Sequence, residues 1–197
     1  MSAPELPDAP ARLLDSVPDG YEIRTLDSTD VEALVELDVR LFDTDAWPES
    51  MFREELNHPE WRRYWGLSVA ADAGDPSEAA DAGEIVGYLG LQYSPRIADA
   101  QTIGVLPTHR RRGLADFLMR LAEERAAAWG AESMMLEVRV DNVGAIRLYE
   151  GHGFQIIHTR PRYYADGTDA LIMSKSVTHH TETLEDQNSL HRKDPES

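Results

Sequence analysis

Two stretches of this 197-residue chain bring together residue types that can do chemistry. The first is Ile103-Gly104-Val105-Leu106-Pro107-Thr108-His109-Arg110-Arg111-Arg112-Gly113-Leu114-Ala115. A strand ends near Pro107, an arginine-rich loop follows, and Gly113 and Ala115 open an amphipathic helix. Unpaired N–H groups at a helix N-terminus, with the positive end of its dipole, bind phosphate oxygens, and small residues let a pyrophosphate approach the main chain. The same Arg-x-x-Gly-x-Ala spacing also suits an ordinary turn with solvated arginines. It is no Walker loop, because no Gly-Lys-Ser/Thr follows, and no dinucleotide fingerprint, because the three spaced glycines are missing. The second stretch runs from Met135 to Phe154. Glu137 interrupts a run otherwise suited to a buried strand, so its carboxylate is either ion-paired, with Arg139 or Arg147, or poised with a raised pKa. Tyr149 follows 12 residues later on a short helix, a position where a tyrosine ordinarily belongs to the core and its hydroxyl finds a partner. Asn142 reads as the N-cap of that helix.

The elements that must position these residues are legible as alternating strand and helix patterns from Tyr21 to Ser176. Tyr21–Leu26 alternates as a strand, and Thr29-x-x-Glu32 reads as a capping box ahead of a helix with Val31, Leu34, Val35, Leu41 and Phe42 on its apolar side. Pro48 suits the first turn of a second helix reaching about Asn57. Strand patterns follow at Gly66–Ala71, Ile85–Tyr93 and Ala100–Val105. Leu114, Phe117, Leu118, Leu121, Arg125 and Trp129 then recur at helical spacing until Gly130. Ser133–Val138 reads as a buried strand, Val143–Glu150 as a short helix, and Phe154–Tyr164 with Ala170–Met173 as a closing hairpin around Asp166-Gly167. The order βααβββαβαββ implies an α/β fold, a mixed sheet with helices on both faces. Residues 1–20 carry four prolines and read as an extended or disordered lead-in. About 71–83 is an acidic Gly/Pro-containing insertion between strands, and 177–197 a loose polar tail.

Composition narrows the chemistry further. There is no cysteine, which excludes disulfides, thiolate metal sites and a cysteine acyl-enzyme. A net charge of −17, from 19 basic and 36 acidic residues, repels phosphate backbones and disfavours direct nucleic-acid binding. It serves solubility, or attracts a basic partner. The longest apolar runs are far short of the ~20 residues of a membrane span, and the first residues lack the basic start and apolar core of a signal peptide, so a cytoplasmic address is expected. His109, His152 and His158 form no helical ligand pair, and His179-His180 sits in the polar tail, so no metal is expected. No Gly-x-Ser-x-Gly elbow marks a serine hydrolase.

Taken together, the two stretches resemble the GNAT superfamily of N-acetyltransferases, over roughly Tyr21 to Ser176. Arg110-x-x-Gly113-x-Ala115 is similar to its acetyl-CoA pyrophosphate loop, and Asn142…Ala145…Leu148-Tyr149-Glu150…Gly153-Phe154 to its downstream motif. Gln101-Thr102-Ile103-Gly104-Val105, Leu136-Glu137-Val138-Arg139 with Asp141-Asn142, Tyr163-Tyr164 ahead of Asp169–Met173, and Trp47–Leu56 resemble the RimI-type ribosomal-protein-alanine N-acetyltransferases. The resemblance implies a GNAT fold with a mixed, mostly antiparallel central sheet, and acetyl transfer from acetyl-CoA to a protein N-terminal amine, foremost the N-terminal alanine of a basic small-subunit ribosomal protein. By that analogy Glu137 is the general base through water and Tyr149 the general acid. The Arg110, Arg111, Arg112, Gly113, Leu114, Ala115 and Asp116 loop holds the pyrophosphate, Asn142 the pantetheine arm, and the backbone of Ile103, Gly104 and Val105 the acetyl-pantetheine end. Trp47, Tyr163 and Tyr164 would flank the acceptor. Ala115 replaces the second loop glycine, and Gly104 stands where alanine is common. A small-molecule amine acetyltransferase, and a non-catalytic acetyl-CoA-binding module docked on a partner such as tRNA threonylcarbamoyl-modification proteins, are the alternatives; retention of Glu137 and Tyr149 argues against the module.

Overall fold

The structure, a computed structural model, describes residues 16–71 and 83–177. The element order is the expected one: β1 (Tyr21–Thr25), α1 (Val31–Phe42), α2 (Glu49–Leu56), β2 (Arg62–Val69), β3 (Ile85–Ser94), β4 (Ile97–Val105), α3 (Leu114–Ala128), β5 (Ser133–Arg139), α4 (Val143–Gly151), β6 (Gln155–Arg160) and β7 (Ala170–Ser176). The strands form one sheet in the order β1-β2-β3-β4-β5-β7-β6. All neighbours are antiparallel except β4 and β5, which are parallel and joined through α3.

Side chains of consecutive strand residues point to opposite faces, and β2 shows what covers each. Tyr64 points to α2, where its hydroxyl donates to Glu55 Oε2 at 2.9 Å. Trp65 points the other way, stacking on Trp129 just past α3 with Arg125 over its ring. On β3 Tyr88 shares the Tyr64 face and meets Phe52 of α2. His152, at the end of α4, reaches Asp116 and Glu123 of α3, which sets α4 on the α3 side. Helices therefore cover both faces, α1 and α2 on one and α3 and α4 on the other. The core between them holds Leu34, Phe52, Leu89, Phe117, Leu118 and Leu121. Helix α3 buries Leu114, Phe117, Leu118 and Leu121 as its spacing requires, and Gly130, at φ +77, ends it in a conformation that glycine adopts without strain.

Several local expectations are corrected. The capping box lies two residues earlier, between Asp27 and Asp30, because a 3₁₀ turn (Ser28–Asp30) precedes α1; Asp27 accepts from the Thr29 amide, and Asp30 from the Asp27 amide. Pro48 is the residue before α2 rather than in its first turn. Strand β2 begins at Arg62, not Gly66: with Tyr64 and Trp65 buried on opposite faces, the alternation that would reveal it is absent. Strand β4 begins at Ile97, directly after the tight turn at Arg96, whose φ is +75. Strand β6 stops at Arg160 because Pro161 has no N–H for the ladder and Arg162 is at φ +51. Of the lead-in, Val17 packs on the core and Pro18 accepts from the Tyr21 amide; residues 1–15 lie outside the described residues, as do 72–82 of the acidic insertion and 178–197 of the tail. No helix among the described residues is long and apolar enough to cross a membrane.

Candidate active site

The site begins as a fault in the sheet. The parallel ladder between β4 and β5 runs only from Ile97↔Ser133 to Ala100↔Leu136. There the register of β4 on β3 jumps, Gly90 facing Thr102 and Leu91 facing Ala100, which leaves Gln101 as one surplus residue. Such a bulge bends its strand, and past it β4 and β5 diverge. A cleft of about 160 Å³ lies in the gap, lined by Thr102 and Ile103 on β4, Glu137 on β5, Tyr149 on α4, Trp47 between α1 and α2, and Tyr164 between β6 and β7. Its walls come from both faces of the sheet.

On the α1/α2 side, Glu137 is partly buried and its Oε1 accepts from Arg160 at 2.6 Å. The partner is therefore Arg160 on β6, brought across by β7, rather than Arg139 or Arg147: Arg139 shares the Glu137 face of β5 but is occupied by Asp45, Asp141 and Asp166, and Arg147 lies on α4, on the other side of the sheet. Tyr163 also bonds to Glu137, which raises the phenol's pKa, with burial adding to it. Tyr163 packs edge-on against Tyr164 at 5.2 Å. Tyr164 lines the cleft, its phenol pushed up to about 12 mainly by burial. Trp47 lines it as well and packs against Phe52. Tyr163 itself is 48% exposed, touching Glu137 rather than the cleft wall.

On the α4 side, Tyr149 is buried against Phe154, and burial followed by Tyr164 pushes its phenol well above the usual value. Its hydroxyl has no hydrogen bond among the described residues, so the partner expected of a core tyrosine is missing, and the ring borders the cleft. Asn142 caps α4, Oδ1 accepting from the Ala145 amide at 3.2 Å, and the residue lines the cleft.

The donor-loop residues gather at the start of α3. Gly113, at φ +79, has nothing within 4 Å of where a Cβ would stand, and Arg111 holds φ +62. The Leu114, Ala115 and Asp116 amides form the first turn and have no intrahelical acceptor. Arg110, Arg111 and Arg112 are exposed around them; Arg110 Nε bonds Val105 O, and Arg112 donates to the Tyr21 hydroxyl, itself bonded to buried His109. Leu114 is buried and anchors the turn. Asp116, the anion at this end, is paired with Arg120 and His152. Of the β4 residues, Ile103 lines the cleft, Val105 is buried, and Gly104 makes room for α1: a Cβ there would stand 2.6 Å from Leu41 Cδ1. An open cradle of helix-start amides, and a buried phenol without a partner beside the cleft, fit a nucleotide thioester.

Three features were not visible in the sequence. Asp99 on β4 has its carboxyl pushed up to about 6 by burial, with Glu137's charge adding to it. Asp38 is buried, accepting from the Tyr88 hydroxyl and the Trp47 amide, and Tyr88 also meets Thr102 on the cleft wall. Arg139 gathers Asp45, Asp141 and Asp166. Each joins residues far apart in the chain, which no local pattern announces. Among the described residues no group of three or more His, Asp or Glu side chains could hold a metal ion.

Residues 31–154 match the family model described as Acetyltransferase (GNAT) family. The chain belongs to this family, and with its RimI-type N-acetyltransferases, whose acetyl donor is acetyl-CoA. It is 33% identical over 159 residues to the N-alpha-acetyltransferase RimI of Mycobacterium tuberculosis, covering 78% of this chain and 90% of that one. The crystal structure of the ribosomal-protein-S18-alanine N-acetyltransferase from Escherichia coli superposes with a TM-score of 0.68 at 28% identity, covering 83% of this chain and 98% of that chain. An uncharacterized Mycobacterium leprae protein is 36% identical over 177 residues; the match covers 87% of this chain but only 44% of that protein's length.

Proposed function

We propose that the enzyme acetylates the α-amine of a protein N-terminus, with the N-terminal alanine of a basic small-subunit ribosomal protein, in the cytoplasm, as the specific substrate. The observation that carries the reading is the cleft through the sheet, with Glu137 on the α1/α2 side and Tyr149 on the α4 side. When bound, acetyl-CoA supplies a thioester carbonyl and a thiolate leaving group. The start of α3 binds its phosphates, and the Asn142 side chain and the unpaired edge of β4 near Ile103 orient its arm. Glu137 takes the proton of the incoming ammonium through water, the amine competing with Arg160 for the carboxylate. Tyr149 holds a proton at Oη for the departing sulfur. With no cysteine to carry the acyl group, the amine attacks directly.

Proton arithmetic favours an α-amine. Its pKa is ~7.7–8.0 against ~10.4 for lysine, so freeing it at pH 7 costs on the order of 1 kcal/mol rather than ~4.6 kcal/mol. The cleft that Trp47 and Tyr164 line holds only about 160 Å³, which suits a small first residue. The RimI-type relatives support the N-terminal reading; the alanine and the ribosomal partner rest on them together with the chain's acidity. Docking on tRNA-modification proteins draws on none of these observations.

The test compares initial rates on two peptides, one with a free N-terminal alanine and no lysine, the other blocked and carrying lysines. The first should be acetylated faster; the reverse sends the enzyme to lysine or small-amine chemistry. In the same assay Tyr149→Phe should lower kcat by ~10²-fold or more with acetyl-CoA affinity kept, and Glu137→Gln should lower kcat/KM most at low pH, where the amine holds its proton. Near-normal turnover in both variants returns Glu137 and Tyr149 to structural roles.

A further inference from the structure

Two connections flank the cleft on the α1/α2 side. Residues 43–48, between α1 and α2, carry Trp47; residues 161–169, between β6 and β7, carry Tyr164. Each has braces of its own, the first partly to Asp38 of α1. Ala46 N donates to Asp43 O at 3.2 Å and Trp47 N to Asp38 Oδ2 at 2.6 Å. Tyr164 N donates to Thr168 O at 3.0 Å and Gly167 N to Tyr164 O at 2.9 Å. Among the described residues, no hydrogen bond or ion pair joins the two connections directly.

Arg139 joins them. It is the last residue of β5, past the point where β5 leaves β4, and its guanidinium has partners on both sides. Nη1 donates to Asp45 Oδ2 at 2.6 Å on the first connection. Nη2 donates to Asp166 Oδ2 at 2.7 Å and Thr168 Oγ1 at 2.9 Å on the second. Nε, bonded to Asp141 Oδ1 at 3.0 Å, fixes the plane of the group, whose carbon stands 4.8 Å from the centre of the Tyr164 ring. The Asp45 arm is the sheltered one, with side chains 23% and 16% exposed; the Asp166 carboxylate is 49% exposed. Only a planar fork with several donors serves these directions at once, and a lysine ammonium, compact and mobile, does not.

We propose that Arg139 is the clasp of the acceptor mouth: a positioning residue whose single guanidinium sets the separation of the Trp47 and Tyr164 walls. The role rests on reading this cleft as the acceptor entrance. Arg139 itself lines the cleft, but no hydrogen bond or ion pair among the described residues joins it to Glu137 or Tyr149, so its loss should weaken acceptor capture while sparing the donor site and the proton transfers.

The absence of cysteine makes the test direct. Thr44→Cys and Ala165→Cys, both at exposed positions, place one nitroxide on each connection, and pulsed electron resonance reads the distance between them. The parent pair should give a narrow distribution; adding Arg139→Lys or Arg139→Gln should broaden it. Without labels, the same two variants should raise the acceptor peptide's KM by about tenfold, with kcat and the KM for acetyl-CoA within about twofold. An unchanged distribution overturns the clasp, and so does a raised KM without broadening, which would make Arg139 a contact of the acceptor itself. Should the Arg139 variants fail to fold, Asp166→Asn removes one exposed arm and must broaden the distribution instead, or the proposal fails. The distance measurement needs no acceptor, so it stands or falls separately from the proposed function.

Discussion

Asp99 is the residue whose behaviour composition predicts least. It lies one position before the β4–β5 ladder ends, and its carboxyl has no hydrogen bond or ion pair among the described residues. Burial is the larger cause of its raised pKa, Glu137 the next, and Arg160 opposes both. The folded protein holds a proton there up to about pH 6, whereas an unfolded carboxyl releases it near the ordinary 3.8. Between those values the native state binds more protons than the unfolded state, so stability falls as pH rises, by up to ~3 kcal/mol above pH 6. Asp99→Asn should therefore stabilise the protein at pH 7 by ~1–3 kcal/mol and change little at pH 4, as read by urea unfolding at both. A gain that does not depend on pH would remove the assignment. In the sequence Asp99 looks like any polar residue alternating with Ala98 and Ala100. Glu137 and Tyr149, by contrast, stand out, one as an acid in an apolar run and the other within a resemblance, yet Glu137's partner did not. Arg160 reaches it only because β7 lies between β5 and β6.

At the scale of elements, the start of α3 shows how main-chain shape rather than charge makes an anion site. A Cβ at Gly113 would meet nothing within 4 Å; the obstacles to a larger residue are φ +79 and the phosphate the cradle would receive. Gly113→Val should lower acetyl-CoA affinity by tenfold or more, because a β-branched residue is strained in the left-handed region and blocks approach. Arg111→Ala, removing one exposed charge worth ~1 kcal/mol or less, should cost far less. Calorimetric titration of both variants decides, and normal affinity in the valine variant would place the phosphates elsewhere. Helix α3 was readable because its apolar spacing is regular and Gly130 ends it. The capping box ahead of α1 was misplaced by two residues because Asp27 and Thr29 are both competent caps, and only the inserted 3₁₀ turn chooses between them. The start of β2 was missed because a strand covered on both faces loses its alternation.

For the whole molecule, the charge of −17 predicts electrostatic capture of basic acceptors. kcat/KM should fall several-fold with added salt for a peptide with arginines after its first residue, and little for a neutral peptide of the same first residue. Equal salt dependence for the two would make the acidity a matter of solubility alone. The order of elements and the placing of helices on both faces followed from the alternation of patterns, but the strand order and the opening in the sheet did not. Hydrophobic spacing in β4 and β5 reads the same whether the strands are zipped or parted, and only the pairing of β4 with β3 shows the surplus Gln101. Competence in this architecture is thus decided partly by arithmetic rather than by identity. A sister chain shorter by that one residue could keep every acid, base and glycine named here and still align along nearly its full length. Its β4 would run flush beside β5, and the scaffold would have nowhere to admit its substrates.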